Sequence, residues 1–152
     1  MRIFVACLAM SILAACSSHS NDPFEEERNV EVYHSFDLMW NQIQKALAKR
    51  YELDEVDETG RKITTRWNTH LAPFAEGGYR TRLIVTLGGD VGHWKVMVRE
   101  ETQVNAEQEN PLAAEEAEWE DSKSEGGEAN RFLVALFRLL NPRRDWLDDE
   151  GR

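Results

Sequence analysis

The sequence predicts an α+β domain, an antiparallel sheet of four to five strands packed by two helices. Three observations predict it. Apolar residues recur at helical spacing in two well-separated stretches, and residues alternate with period two between them. The turn signals inside that region are short enough for hairpins. A run of strands bracketed by amphipathic helices closes one core when both helices lie on the same face of the sheet.

A short first strand is expected over 29–34, with Val30 and Val32 on one face and Glu31 and Tyr33 on the other. Ser35 then reads as a helix N-cap, and Asp37 in the first turn favours the positive end of the helix dipole. Phe36, Trp40, Ile43 and Leu47 follow at helical spacing, so an amphipathic helix runs to about Arg50. In "YELDEVDETGRKITTRW", Thr59-Gly60 is a turn between two β-type runs, and Ile63, Thr65 and Trp67 share the apolar face of the second. Tyr79 to Leu87 alternates, with Tyr79, Thr81, Leu83, Val85 and Leu87 on one face and Arg80, Arg82, Ile84 and Thr86 on the other. "GGDVG" turns the chain, and Trp94, Val96 and Val98 alternate against Lys95, Met97 and Arg99. Two hairpins in series make a four-stranded meander, with the 29–34 segment as a fifth strand.

From Glu100 the composition changes. Residues 100–128 hold eleven carboxylates and one basic residue, Lys123. "LAAEEAEWE" reads either as a short helix or as a strand around Trp119. Beyond Gly126-Gly127, a second apolar stripe (Ala129, Phe132, Leu133, Leu136, Phe137, Leu140) predicts a helix that stops at Asn141-Pro142. Residues 143–152 read as an exposed tail, and 30–142 as a single domain.

The start of the chain has a different logic. Met1-Arg2 is followed by an apolar run from Ile3 to Ala15, too short for a bilayer-spanning helix of about 20 residues but suited to a secretory leader. Leu13-Ala14-Ala15-Cys16 resembles the bacterial lipobox, which implies cleavage before Cys16 and lipidation of its thiol and freed amine. Residues 1–16 are then a signal peptide. Residues 17–29, polar and carrying Glu25, Glu26 and Glu27, read as a flexible tether. More than one acyl chain is needed for a stable anchor, each buried methylene contributing about 0.8 kcal/mol. Ser17 after the cysteine implies, by the same resemblance, the inner leaflet of the outer membrane, with the domain facing the periplasm. The second cysteine, Cys7, leaves with the leader, so no disulfide is expected.

Net charge is −10, and −11 once Arg2 is removed with the leader, which argues against nucleic-acid binding. His34, His70 and His93 lack metal-ligand spacing. There is no phosphate-binding loop and no G-x-S-x-G. Of Ser35, Ser122 and Ser124, one reads as a cap and two lie in an acidic loop that offers no base. A non-catalytic protein without cofactor or metal is expected.

The charges are nevertheless partitioned. Between Arg61 and Arg99 stand seven Lys or Arg and two Asp or Glu. Strand parity places Lys62, Arg66, Arg80, Arg82, Lys95 and Arg99 on the sheet face away from the core. Two accounts follow: a solvated face partly neutralised by the acidic segment, or a docking face for an anionic partner.

The lipobox and tether, "SFDLMWNQIQKALAKR", "DETGRKITTRW" and the "RTRLIV" strand together resemble the BamC-like lipoprotein family, which accompanies the outer-membrane β-barrel assembly machinery. The matching positions are Trp40, Gly60, Ile63 and Trp67, over about residues 31–100. The resemblance implies a helix-grip domain and an accessory or scaffolding role in envelope assembly, with the membrane and an envelope protein as partners. The family's typical member has two such domains and a longer unstructured lead. The alternative expectation is a small-ligand or lipid-binding lipoprotein, with an apolar pocket lined by Trp67, Leu83, Trp94 and Phe132 and not filled by Trp40.

Overall fold

The computed structural model describes residues 21–71, 78–106 and 117–141. Cys16, the leader and the 143–152 tail lie outside them, as do residues 107–116 within the 100–128 segment.

The chain runs β1 (Phe24–Val30), α1 (Phe36–Ala48), β2 (Leu53–Asp57), β3 (Lys62–Thr65), β4 (Asn68–His70), β5 (Tyr79–Asp90), β6 (His93–Asn105), β7 (Trp119–Ser122) and α2 (Gly127–Leu140). This is the α+β architecture with an antiparallel sheet, but with seven strands rather than four or five. The long β5–β6 hairpin is its spine. On one side β6 pairs with β1 over residues 94–100 and with β7 over 102–105, so those two strands lie end to end. On the other side β5 pairs with β3 and then β4, and β2 closes that edge against β3. The hairpin turn needs Gly89 (φ 79°): a Cβ there would sit 2.1 Å from the His93 carbonyl oxygen.

The helices form where their spacing places them. Ser35 caps α1 by accepting from the Leu38 amide. Met39, Trp40, Ile43, Ala46 and Leu47 are buried, and Phe36 stacks on Trp40 at 5.6 Å. On α2 the buried stripe is Ala129, Phe132, Leu133, Leu136 and Leu140. Both stripes meet Ile63, Leu83, Val85, Leu87, Trp94, Val96 and Val98 in one core. Its apolar area dominates stability, at about 25 cal/mol per Å² removed from water.

Two expectations about the strands are corrected. The first strand is Phe24–Val30, not 29–34, so residues 24–29 of the expected tether belong to the sheet. Two of the glutamates that suggested a tether, Glu25 and Glu27, share the outer face of that strand, while Glu26 points the other way and pairs with Arg28. Glu25 lies opposite Arg99 and pairs with it, and Glu27 pairs with Lys95 on the same face, while Val30 enters the core opposite Trp94. Trp67 is the second correction. Ile63 and Thr65 face the core, but between Thr64 (opposite Ile84) and Asn68 (opposite Thr81) the chain advances four residues against three on β5. That one-residue bulge turns Trp67 to the outer face. The Thr65 hydroxyl then accepts from the Leu83 amide at 3.0 Å.

The acidic stretch is partly regular. β6 continues to Asn105, and Trp119 starts β7, which resolves the helix-or-strand alternative in favour of a strand. Glu100 is a core residue, 4% exposed. The N-cap of α2 is Gly126 (φ 77°), which has no side chain to cap the helix, and Glu100 Oε2 instead accepts from the Glu128 and Ala129 amides at 2.9 and 2.8 Å. A buried carboxylate at the positive end of a helix is stabilised by two charge-assisted bonds and by the dipole.

Candidate functional site

Both helices cover one face of the sheet, and the opposite, outer face presents the cations that parity predicts. Cross-strand register orders that face in rows from the hairpin turn outward. Lys62, Thr86 and Met97 form one row with Glu27, then Ile84 and Arg99 with Glu25. Arg82 and Glu101 follow, then Arg80 and Gln103 with Asp121.

Five of the six expected cations therefore share this face, but they do not form a free basic patch. Arg82 Nε donates to Glu101 Oε2 at 2.7 Å and Arg99 Nε to Glu101 Oε1 at 3.0 Å. Arg99 also reaches Glu25 (3.3 Å), and Lys95 reaches Glu27 at 3.1 Å. Arg80 donates to Gln103 at 2.8 Å. Lys62 has no ion pair among the described residues. Arg66 lies apart, at the β3–β4 bulge, 3.7 Å from Glu52 and from Asp54. Most of the neutralising carboxylates come from β1 and from β6 itself. The physical reason is register, because β1 lines its glutamates up against Lys95 and Arg99.

The bulge adds aromatics that parity alone does not place here. The Arg80 guanidinium lies between two indoles, 4.7 Å from Trp67 and 4.5 Å from Trp119, and Arg82 stacks on Trp67 at 4.5 Å. Each such contact contributes about 0.5–1 kcal/mol or more when desolvated. Burial, and then the neighbouring Arg82 charge, lower the Arg80 pKa from its ordinary value. Between the ends of β1 and β7, the edge of β6 is left open as a notch of about 280 Å³. Asn21, Pro23, Arg82, Arg99, Glu101 and Asp121 are among its lining.

The hairpin end of the molecule differs in character. Met97 is 41% exposed, Val91 at the turn 51%, and Tyr33 89%. Tyr33 is held by a fixed frame. The Gly92 amide donates to the Val32 carbonyl, the Trp94 indole to the His34 carbonyl at 3.0 Å, and a Cβ on Gly92 would meet the Tyr33 ring at 3.3 Å.

A polar cluster missed by sequence reading lies where α1 ends and α2 begins. The Tyr51 hydroxyl donates to Glu128 Oε2 at 2.9 Å, Arg50 stands 3.3 Å from the same oxygen, and Arg131 pairs with Oε1. Burial pushes the Glu128 carboxyl up, but the Tyr51 hydroxyl, Arg50 and Arg131 outweigh it and hold it below the usual carboxylate range. Burial first, and then the Glu128 bond, raise Tyr51 well above its ordinary value. The Tyr51–Glu128 pair is 77 residues apart in sequence, so no local pattern announces it. Among the described residues no group of three or more His, Cys, Asp or Glu is placed to hold a metal, and no helix is long and apolar enough to cross a membrane.

The pocket of the ligand-binding alternative does not form from its four residues. Leu83, Trp94 and Phe132 pack in the core together with Trp40, and Trp67 is on the other side of the sheet.

No protein-family model matches the chain, and no curated protein sequence matches it. Among solved structures, the chain is similar to a TBP-like protein from Parabacteroides distasonis ATCC 8503. The identity is 13% and the TM-score 0.38, over 84% of this chain and 91% of that one.

Proposed function

We propose that the protein is an outer-membrane lipoprotein, anchored through Cys16, whose periplasmic domain acts as a non-catalytic accessory or scaffolding module in envelope assembly. The lipobox supports the location, and a sheet gripping two helices agrees with the helix-grip type implied by the BamC-like resemblance. The observation that carries the binding role is the hairpin end of the outer face. Tyr33, Val91 and Met97 are exposed there on a frame tied by main-chain and indole hydrogen bonds. An exposed tyrosine makes an effective contact anchor because its ring loses little rotamer entropy on docking, and a methionine beside it adapts to the shape of the partner. Lys62, the cation of that row without an ion pair among the described residues, adds a charge for an acidic rim on the partner.

The test is photo-crosslinking in intact cells from position 33 or 97, with position 134 on the exposed side of α2 as control. One envelope protein captured from 33 and 97 and not from 134 is the expected result. Identical captures from all three positions refute the docking surface. Palmitate labelling that is absent from wild type, or that persists in Cys16→Ala, refutes the anchor.

A further inference from the structure

The notch on the outer face is built for a zwitterion. Arg82 and Arg99 approach one carboxylate, Glu101, through their Nε atoms, one on each oxygen. Arg82 lines the notch, and its terminal nitrogens find no hydrogen-bond acceptor among the described residues. Across it stands Asp121, exposed, with one oxygen accepting from Gln103 Nε2 at 2.8 Å. Two guanidinium groups and two carboxylates thus meet around a small polar volume with no net charge. At about 280 Å³ it lies at or below the lower bound for drug-sized ligands and takes a small headgroup.

Chain length supplies the second observation. Asn21 and Pro23 line the notch, so the polypeptide enters the domain there. Four residues separate Asn21 from Cys16, and the five peptide links between them reach at most about 17 Å. A lipid on Cys16 therefore holds this notch, rather than the hairpin end, within reach of the bilayer surface.

We infer that the notch binds the phosphoethanolamine headgroup of a membrane phospholipid. Its phosphate is taken by the free guanidinium nitrogens of Arg82, and its ammonium by Asp121. The inference rests on the proposed anchor for its setting. Docking this way turns the Arg82 end of the sheet to the membrane and leaves Tyr33 and Val91 pointing into the periplasm.

The test has two arms on the full-length protein. In detergent, glycerophosphoethanolamine is titrated while the backbone amide resonances of Glu101, Thr102 and Ser122 are followed, with glycerophosphoglycerol and inorganic phosphate in parallel. Saturable shifts with glycerophosphoethanolamine are expected. Asp121→Asn, at an exposed position that the fold does not need, should weaken them roughly tenfold without changing the response to glycerophosphoglycerol. Equal responses to all three compounds, or none, overturn the proposal. In vesicles of equal parts phosphatidylethanolamine and phosphatidylglycerol, a photo-crosslinker at position 122 should capture phosphatidylethanolamine, and one at 134 should not. Arg82→Glu should abolish that adduct while the protein stays with the vesicles. Indiscriminate lipid adducts at both positions overturn the docking. Loss of vesicle association in wild type refutes the anchor instead, and the detergent arm then decides the notch by itself.

Discussion

Replacing Glu100 tests how the fold starts its second helix. The carboxylate is 4% exposed and accepts two main-chain amides at 2.9 and 2.8 Å. Hydrogen bonds to a charged group contribute about 1.5–3 kcal/mol net each, but these two overlap with the dipole interaction of about 1–2 kcal/mol and cannot be added to it in full. Burial of the charge is itself unfavourable, and alanine escapes that cost. The net loss for Glu100→Ala is therefore about 2–4 kcal/mol, with the Glu128 and Ala129 amides left without their acceptor. Glu100→Gln keeps the shape and one acceptor oxygen and loses the charge, so it should cost about 1–2 kcal/mol. Against a total stability of about 5–15 kcal/mol, the first change is severe and the second is readily measured. Urea unfolding followed by tryptophan fluorescence reads both, since Trp40 and Trp94 are in the core. The expected order of midpoints is wild type, then Gln, then Ala, at a common slope. Unfolding free energies for both variants within about 0.5 kcal/mol of wild type would refute the assignment of Glu100 as the cap.

Further outcomes follow from the same geometry. Gly89→Ala forces a side chain into a left-handed backbone and against the His93 carbonyl, and should cost about 2 kcal/mol or more in the same urea assay. Arg80→Ala removes a cation held between Trp67 and Trp119; a loss of about 1–2 kcal/mol is expected, together with a change in near-ultraviolet circular dichroism from the two indoles. Tyr51→Phe removes one of the groups that hold Glu128 low. In wild type, the Glu128 contribution is present above the ordinary carboxylate range and is lost as pH falls through its depressed value. The acid unfolding midpoint should therefore move to higher pH in the variant. Tyr51 acts in the opposite limb, because the fold favours its protonated form: wild-type stability should fall as pH rises past about 10, and Tyr51→Phe should lack that contribution. Acid and alkaline unfolding curves identical in the two proteins would contradict both signs.

Local periodicity was enough for the helices and the spine. The stripes on α1 and α2 are buried as their spacing requires, because a helix makes its hydrogen bonds within a few residues and needs from the rest of the chain only an apolar surface. The alternation in β5 and β6 likewise survives folding, so Arg80, Arg82, Lys95 and Arg99 emerge on the face that parity assigns. Their state was not legible. Whether a cation on a strand is free depends on which strand lies beside it, and one of the two carboxylate partners of Arg99, Glu25, comes from 74 residues away.

Composition misled where pairing was decisive. Glu25 and Glu27 look like solvated tether residues until β6 supplies their counter-charges, and Glu100 looks like the start of an acidic run until α2 places its bare N-terminus against it. Trp67 failed for another reason. A single added residue between Thr64 and Asn68 reverses every later side chain, and no sequence pattern marks that bulge in advance.

The amino-acid order by itself determined the fold class, both helices, the two hairpins and the core-facing residues of the long strands, since each depends on contacts within a turn or on a strict period. Tertiary structure alone decided the outermost strands, the side taken by Trp67, the neutralisation of the outer face, and the notch between β1 and β7. Those features arise where segments distant in sequence meet, and the energy that selects them exists only once they have met.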